Sequence, residues 1–138
     1  MSEIIKNDAP ITEIKLGDEK TPLDIAKFMV QILDMKKAKD IKLIHVEERT
    51  VIADYFVIAT GNSTTQVSSL CEEVEFRLSQ YGIAPTHNEG SRGDSWILSD
   101  YSSVILHVFS PESRDFYKLE KLYSEGDEVS IEDILTED

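Results

Sequence analysis

A turn of three residues, Gly61-Asn62-Ser63, separates an uncharged apolar run from an amphipathic stretch. A turn between a buried strand and a helix places backbone N–H groups at the positive end of the helix dipole, where many α/β proteins bind phosphate. The same residues have a simpler explanation, because glycine relieves a tight turn and serine caps a helix. The turn therefore predicts a strand-turn-helix unit, and whether this unit binds phosphate stays open.

Nucleotidyl transfer is the enzymatic chemistry nearest to this pattern. It adds two aspartates, one residue apart on a later strand, that hold Mg²⁺ through clustered oxygens. No Asp-x-Asp pair falls on a predicted strand, and Asp100 stands alone at a predicted hairpin tip. The P-loop and dinucleotide-binding glycine motifs are also absent. We expect no metal site and no cofactor, and keep a degenerate nucleotidyltransferase-like, nucleotide-binding enzyme as the alternative function.

The histidines and the single cysteine do not form a catalytic pattern. His45 and His107 fall inside predicted strands and His87 near an edge strand, without metal-ligand spacing. Cys71 lies in the middle of a predicted helix among apolar residues, which is typical of a core thiol. No G-x-S-x-G nucleophile motif occurs. We predict a protein that is not an enzyme and has no small-molecule substrate.

Charge restricts the partners that the protein can bind. Its 138 residues include 14 basic and 27 acidic side chains, a formal net charge of −13. Strong nucleic-acid binding needs Lys and Arg that displace counterions, so we expect a basic protein partner and no strong direct contact with nucleic acid. No apolar run approaches the roughly 20 residues that span a bilayer. Without a targeting pattern, we expect a cytoplasmic protein that does not bind membranes.

The helices are predicted from their caps and apolar spacing. Thr21, followed by proline, starts a helix that runs to about Lys39. Ser63 starts a second helix, forms a capping box with the glutamine three residues later, and the helix ends at Gly82. Ser110, again followed by proline, starts a third. The core face of this third helix is expected to hold Phe116, Leu119 and Tyr123.

The strands are predicted at residues 41–46, 55–59, 84–89, 96–100 and 104–109. Pro85 indicates an edge strand, and the apolar final strand lies inside the sheet. The order of elements predicts a single α/β domain with a mixed β-sheet of about five strands. We expect an N-terminal arm at residues 1–20, loosely attached, the domain at 21–123, and an acidic C-terminal tail with a frayed end at 124–138.

The hairpin contains the candidate binding residues. Trp96, Leu98 and Asp100 share one face of a strand because side chains alternate, and Tyr101 follows. An aromatic anchor with a neighbouring acid is typical of a protein interface, where the ring supplies contact area and the acid supplies orientation. The alternative is that Trp96 belongs to the core. Two further acids are candidates to support such a surface: Glu89 and Asp94.

Five motifs in order carry a family resemblance. They are ADYFVIATGNS at residues 53–63, the Glu-Gly and G-x-x-W at 89–96, Asp-Tyr at 100–101, His-Val-Phe at 107–109, and R-x-F-Y-x-L-E-x-L at 114–122. Together they resemble the ribosomal silencing factor (Iojap-like) family over about residues 21–123. The resemblance implies a nucleotidyltransferase-like fold without the catalytic aspartates.

The resemblance also implies a function. Such proteins bind a basic ribosomal protein, the universal fourteenth of the large subunit, and sterically block joining of the small subunit. Family members are also linked to late maturation of the large subunit. The family's partner-binding residues correspond here to Trp96, Leu98, Asp100 and Tyr101. On this basis we expect a translational repressor that is a monomer or a weak homodimer.

Overall fold

The computed structural model describes residues 14–48, 50–123 and 127–135. Its helices are α1 (Pro22–Met35), α2 (Thr64–Ser79) and α3 (Pro111–Tyr117), and a short 3-10 helix spans Leu119–Leu122. Its strands are β1 (Lys39–His45), β2 (Tyr55–Thr60), β3 (His87–Glu89), β4 (Trp96–Asp100), β5 (Val104–Phe109) and β6 (Glu128–Val129). None of the helices within these ranges has the length and apolar character needed to cross a membrane.

The strands form one sheet in the order β3-β4-β5-β2-β1-β6. β2 and β5 are parallel and lie at its centre, while the other pairs are antiparallel. The predicted single-domain α/β fold with a mixed sheet is confirmed. The sheet has six strands where about five were expected, because Val129 in the acidic tail pairs with Leu43 of β1.

α1 and α2 cover one face of the sheet, called here the inner face, and enclose the main hydrophobic core. The Thr21 hydroxyl accepts a hydrogen bond from the Asp24 N–H at 3.0 Å, which caps α1 as predicted. The helix ends at Met35, four residues before the predicted Lys39. Lys37 adopts a left-handed φ of 67°, and the Ala38 N–H closes the helix by donating to the Leu33 carbonyl at 2.9 Å.

The opposite, outer face carries a second apolar cluster that includes Phe56, Ile58 and Phe109. Leu119 and Tyr123 pack against it, as predicted. The prediction for Phe116 is wrong, because this side chain is 78% exposed. Lys118 has a left-handed φ of 48° that ends α3 and changes the direction of the following side chains. Residues before and after this break therefore do not share one helical face.

Both ends of the described chain are attached to the core. The expected frayed tail is wrong for residues 127–135, since β6 pairs with β1 and Ile131 is only 7% exposed. Leu16 is 5% exposed and its N–H donates to the Tyr81 hydroxyl at 3.4 Å, so the end of the predicted arm is packed rather than loose. Residues 1–13 and 136–138 lie outside the described residues, and the domain boundaries stay predictions.

Candidate functional site

In the Gly61-Asn62-Ser63 turn, polar groups form hydrogen bonds to the first turn of α2. The Ser63 hydroxyl accepts from the Gln66 N–H at 3.1 Å, and the Gln66 side-chain oxygen accepts from the Asn62 N–H at 2.6 Å. The predicted capping box is thus half formed, because Gln66 bonds to Asn62 instead of to Ser63. A Cβ on Gly61 would lie 3.0 Å from the Val67 nitrogen and crowd the backbone of α2, so the close approach of the helix favours glycine there. These contacts agree with the structural explanation of the turn.

A cavity of about 420 Å³ opens beside this turn, at the carboxyl ends of the parallel strands β2 and β5. Its lining includes four basic residues and three acidic ones: Lys39, Arg114, Lys118, Lys121, Asp40, Asp115 and Glu120. Lys118 is paired with Asp115 at 3.2 Å. Within the residues that the structure describes, no group of three or more His, Cys, Asp or Glu side chains is placed to hold a metal. The described lining of the cavity is therefore of mixed charge and contains no recognisable metal centre.

Arg114 forms the inner wall of the cavity and is the only buried residue of α3. Its Nη1 donates to the Asp40 carbonyl at 2.7 Å and to the Thr60 hydroxyl at 2.8 Å. Its Nε donates to the Glu120 carboxylate at 3.1 Å. One guanidinium therefore ties α3 to β1, β2 and the 3-10 helix. Apolar spacing predicted that Phe116 faces inward from α3, and it did not reveal this arginine.

Trp96 lies half-buried at the edge of the outer face. Its ring stacks on Phe109 with centroids 4.8 Å apart and contacts Tyr117 at 4.6 Å. Its indole Nε1 donates to His107 Nδ1 at 3.3 Å. Leu98 lies beside it, and a groove of about 250 Å³ runs along the two side chains. One part of the Trp96 side chain therefore packs against the outer apolar cluster, and the rest is exposed to solvent.

His107 lies beneath this surface and is 4% exposed. It contacts Phe56 with ring centroids 4.8 Å apart. Burial lowers the pKa of His107 from 6.5 to about 4, so the ring is neutral near pH 7. Its Nε2 atom has no hydrogen-bond partner among the described residues. A neutral ring with Nδ1 as the acceptor is the form that the Trp96 N–H requires.

The two hairpin-tip residues are placed differently from each other. Asp100 is half-buried, and its Oδ1 accepts from the Ser102 N–H at 2.7 Å. Tyr101 is 6% exposed and belongs to the main core on the inner face, where burial raises its pKa. The structure thus places Trp96 and Leu98 together, puts Asp100 at the far end of the same strand, and does not bring Tyr101 to this surface.

The remaining candidate residues have local contacts. Glu89 lines the groove beside Trp96, and its Oε2 accepts a hydrogen bond from His87 Nε2 at 3.1 Å. Asp94 accepts from the Ser91 N–H at 2.9 Å and shapes its loop. Cys71 is buried, and burial raises its pKa to about 12, which confirms the prediction of a core thiol. Of the two acids, only Glu89 lies at the groove.

Comparison with known proteins gives consistent matches. A family model described as "Ribosomal silencing factor during starvation" matches residues 19–138. "Ribosomal silencing factor RsfS" of Halalkalibacterium halodurans is 31% identical over 113 residues, covering 82% of this chain and 97% of that protein. The protein of the same name from Bacillus subtilis is 36% identical over 102 residues, covering 74% and 86% respectively.

Two further matches extend this comparison. The mouse protein "Mitochondrial assembly of ribosomal large subunit protein 1" is 31% identical over 102 residues, covering 70% of this chain and 43% of its own. A crystal structure of a protein from Chromobacterium violaceum superposes with a TM-score of 0.72 at 31% identity, covering 75% of this chain and 86% of that one. The comparison of folds and the comparison of sequences therefore both find relatives of this chain at about 30% identity.

Proposed function

Because the chain belongs to the ribosomal silencing factor family, we propose that it is a ribosome-associated repressor of translation in the cytoplasm. It binds the large ribosomal subunit through a basic ribosomal protein, the universal fourteenth, and blocks joining of the small subunit. Its relatives are named as silencing factors, which are regulatory proteins rather than enzymes. The mouse relative is named for large-subunit assembly, and this supports a second role in maturation.

The observation that carries this proposal is the position of Trp96. One side of its ring is held by Phe109 and by the hydrogen bond to His107, so binding loses little side-chain freedom. The other side borders a groove with Leu98 and Glu89. A fixed aromatic ring beside an acid suits a basic protein surface, and the net charge of −13 steers such a partner toward it.

The proposed mechanism is steric and needs no chemical step. The bound protein occupies part of the subunit interface for longer than the small subunit takes to arrive. Affinity for the large subunit therefore decides repression, and a slow dissociation rate matters more than a fast association rate. The protein acts in this proposal as a monomer or a weak homodimer.

Sedimentation with purified subunits tests the proposal. The wild-type protein is expected to migrate with free large subunits on a gradient and to slow subunit joining measured by light scattering. Trp96→Ala should lower the affinity about tenfold or more, because buried aromatic anchors dominate interfaces. Phe76→Ala is the matched control, since Phe76 is 58% exposed on α2, on the other side of the sheet. A wild-type protein that never migrates with large subunits would show the proposal to be wrong.

Nucleotide binding is the second candidate function, and two lysines in the cavity beside Gly61-Asn62-Ser63 favour it. The described residues give Lys39 and Lys121 no hydrogen-bond or ion-pair partner, so both amino groups could meet a phosphate. Calorimetry with ATP and Mg²⁺ tests this function. Binding that is lost in a Lys39→Ala, Lys121→Ala double variant would support it, and the absence of heat in the wild-type protein would dismiss it.

A further inference from the structure

The third helix, α3, is held to the domain by a charged residue and exposes its aromatic residues. Arg114 is its only buried side chain. Phe116 is 78% exposed and Tyr117 is 52% exposed. In most amphipathic helices the aromatic side chains supply the packing and the charged ones face water. Packing against the described residues therefore does not explain the size and apolar character of Phe116.

Phe116 continues a line of ring contacts that begins in the core. Trp96 lies 4.8 Å from the buried ring of Phe109, Tyr117 lies 4.6 Å from Trp96, and Phe116 lies 5.0 Å from Tyr117, measured between ring centroids. We call the three outer rings, Trp96, Tyr117 and Phe116, the aromatic ridge. The ridge joins β4 to α3, so it extends the Trp96 surface onto a second element.

The helix that carries Phe116 and Tyr117 is fixed to the domain. Arg114 anchors α3 through Asp40, Thr60 and Glu120, with donor–acceptor distances between 2.7 and 3.1 Å. Its side chain is only 9% exposed, so these contacts are protected from water. An aromatic side chain on a fixed helix costs a partner no ordering of the backbone when it is buried. This is the property that distinguishes an interface anchor from a mobile surface side chain.

We infer that Phe116 and Tyr117 form part of the partner-binding surface and insert into an apolar recess bordered by Lys or Arg on the basic ribosomal protein. This inference rests on the proposed function. It adds two residues of α3 to a binding surface that was predicted on the hairpin alone. The exposed Glu112 lies one helical turn before Phe116, and Glu89 lies in the groove beside Trp96. Lys118 is paired with Asp115 at 3.2 Å, so the acids around the ridge favour a basic border. An exposed aromatic group next to such acids matches the chemistry of that recess.

Affinity measurements with purified large subunits test the inference. Phe116→Ser should weaken binding about tenfold, while Phe116→Leu should keep most of the affinity because it preserves an apolar side chain. Phe76→Ser is the control, since it removes an exposed phenylalanine from α2. The unfolding temperature of Phe116→Ser should equal that of the wild type, because the ring is mostly in water. The loss should also be similar at low and high salt, since the contact is apolar.

The outcomes separate the two proposals. If the wild type binds large subunits and Phe116→Ser binds equally well, the partner-binding surface does not include Phe116 and the inference fails, while the proposed function still stands. If Phe116→Ser and Phe76→Ser weaken binding alike, the loss is not specific to the ridge and the inference fails. If the wild type does not bind at all, the proposed function itself fails. Selective loss in Phe116→Ser, with retention in Phe116→Leu, supports the inference.

Discussion

The indole N–H of Trp96 donates to Nδ1 of His107 across 3.3 Å, which joins a half-exposed ring to one that is 4% exposed. Because Trp96 Nε1 is only a donor, it needs a neutral His107 with a free lone pair on Nδ1. Burial keeps the ring in that form by lowering its pKa to about 4. The orientation of the surface aromatic ring therefore depends on the protonation state of a core histidine.

This relationship predicts acid sensitivity. The pKa of His107 falls from 6.5 in its ordinary state to about 4 in the folded protein, so the unfolded chain binds the additional proton between these values. Stability should decrease as the pH falls from 6.5 toward 4, by up to about 3 kcal/mol from this residue. His107→Asn, which keeps a side-chain acceptor but does not titrate, should show a shallower decrease in urea unfolding across that range. Equal slopes for the two proteins would contradict this account.

Asp100 allows the effect of charge to be separated from that of the hairpin geometry. Its Oδ1 accepts from the Ser102 N–H at 2.7 Å, and an asparagine oxygen can accept the same bond. Asp100→Asn should leave the unfolding temperature nearly unchanged and weaken large-subunit binding at low salt, with a smaller effect at high salt. Asp100→Lys should weaken it further. Unchanged binding by Asp100→Lys would remove this residue from the interface.

Ser102 is the strained residue of the hairpin tip. Its φ is 73°, and the Ser103 N–H donates to the Tyr101 carbonyl at 2.9 Å, which closes a tight turn around it. L-residues adopt this left-handed conformation at a cost of roughly 1 kcal/mol, which glycine avoids. Ser102→Gly should therefore raise the free energy of unfolding by about 0.5 to 1 kcal/mol in a denaturant titration. Ser103→Gly is the control, and a stabilisation of equal size there would argue against relief of strain at Ser102.

Arg114 should contribute far more to stability than a surface arginine. Arg114→Ala removes bonds to Thr60, Asp40 and Glu120 and leaves the Glu120 carboxylate unpaired, so we expect a loss of roughly 3 to 5 kcal/mol. Arg77 provides the comparison, since it pairs with Glu73 at 2.8 Å on the surface of α2. Arg77→Ala should lose less than about 1 kcal/mol. Equal losses in chemical denaturation would show that burial of Arg114 has no special effect.

Much of the fold was predictable because its signals are local. Ser63 and Ser110 cap helices where the sequence places them, and the hairpin strands occupy Trp96–Asp100 and Val104–Phe109 as predicted. The exceptions are local breaks without a strong residue signal. Lys37 and Lys118 adopt left-handed conformations, which the residue type lysine does not predict. As a result, α1 and α3 end earlier than the spacing of their apolar residues predicted.

The tail was mispredicted for a different reason. Its acidic composition indicated a frayed end, yet Glu128 pairs with Lys42 at 3.2 Å and Ile131 enters the main core. A count of charges does not show that a few apolar residues in the tail, such as Val129 and Ile131, pack at the edge of the sheet beside β1. Pairing over more than eighty residues depends on the whole sheet having formed.

By itself, the sequence determined the order of the helices and strands from α1 to α3, the alternating faces of β4, and the acidity that favours a basic partner. These properties follow from neighbouring residues or from composition, so they need no knowledge of the folded chain. Only the tertiary structure decided that Tyr101 enters the core, that Arg114 anchors α3, and that Phe116 extends the Trp96 surface. Those outcomes depend on contacts between side chains that are far apart in the sequence, and a pattern of neighbouring residues does not predict such contacts.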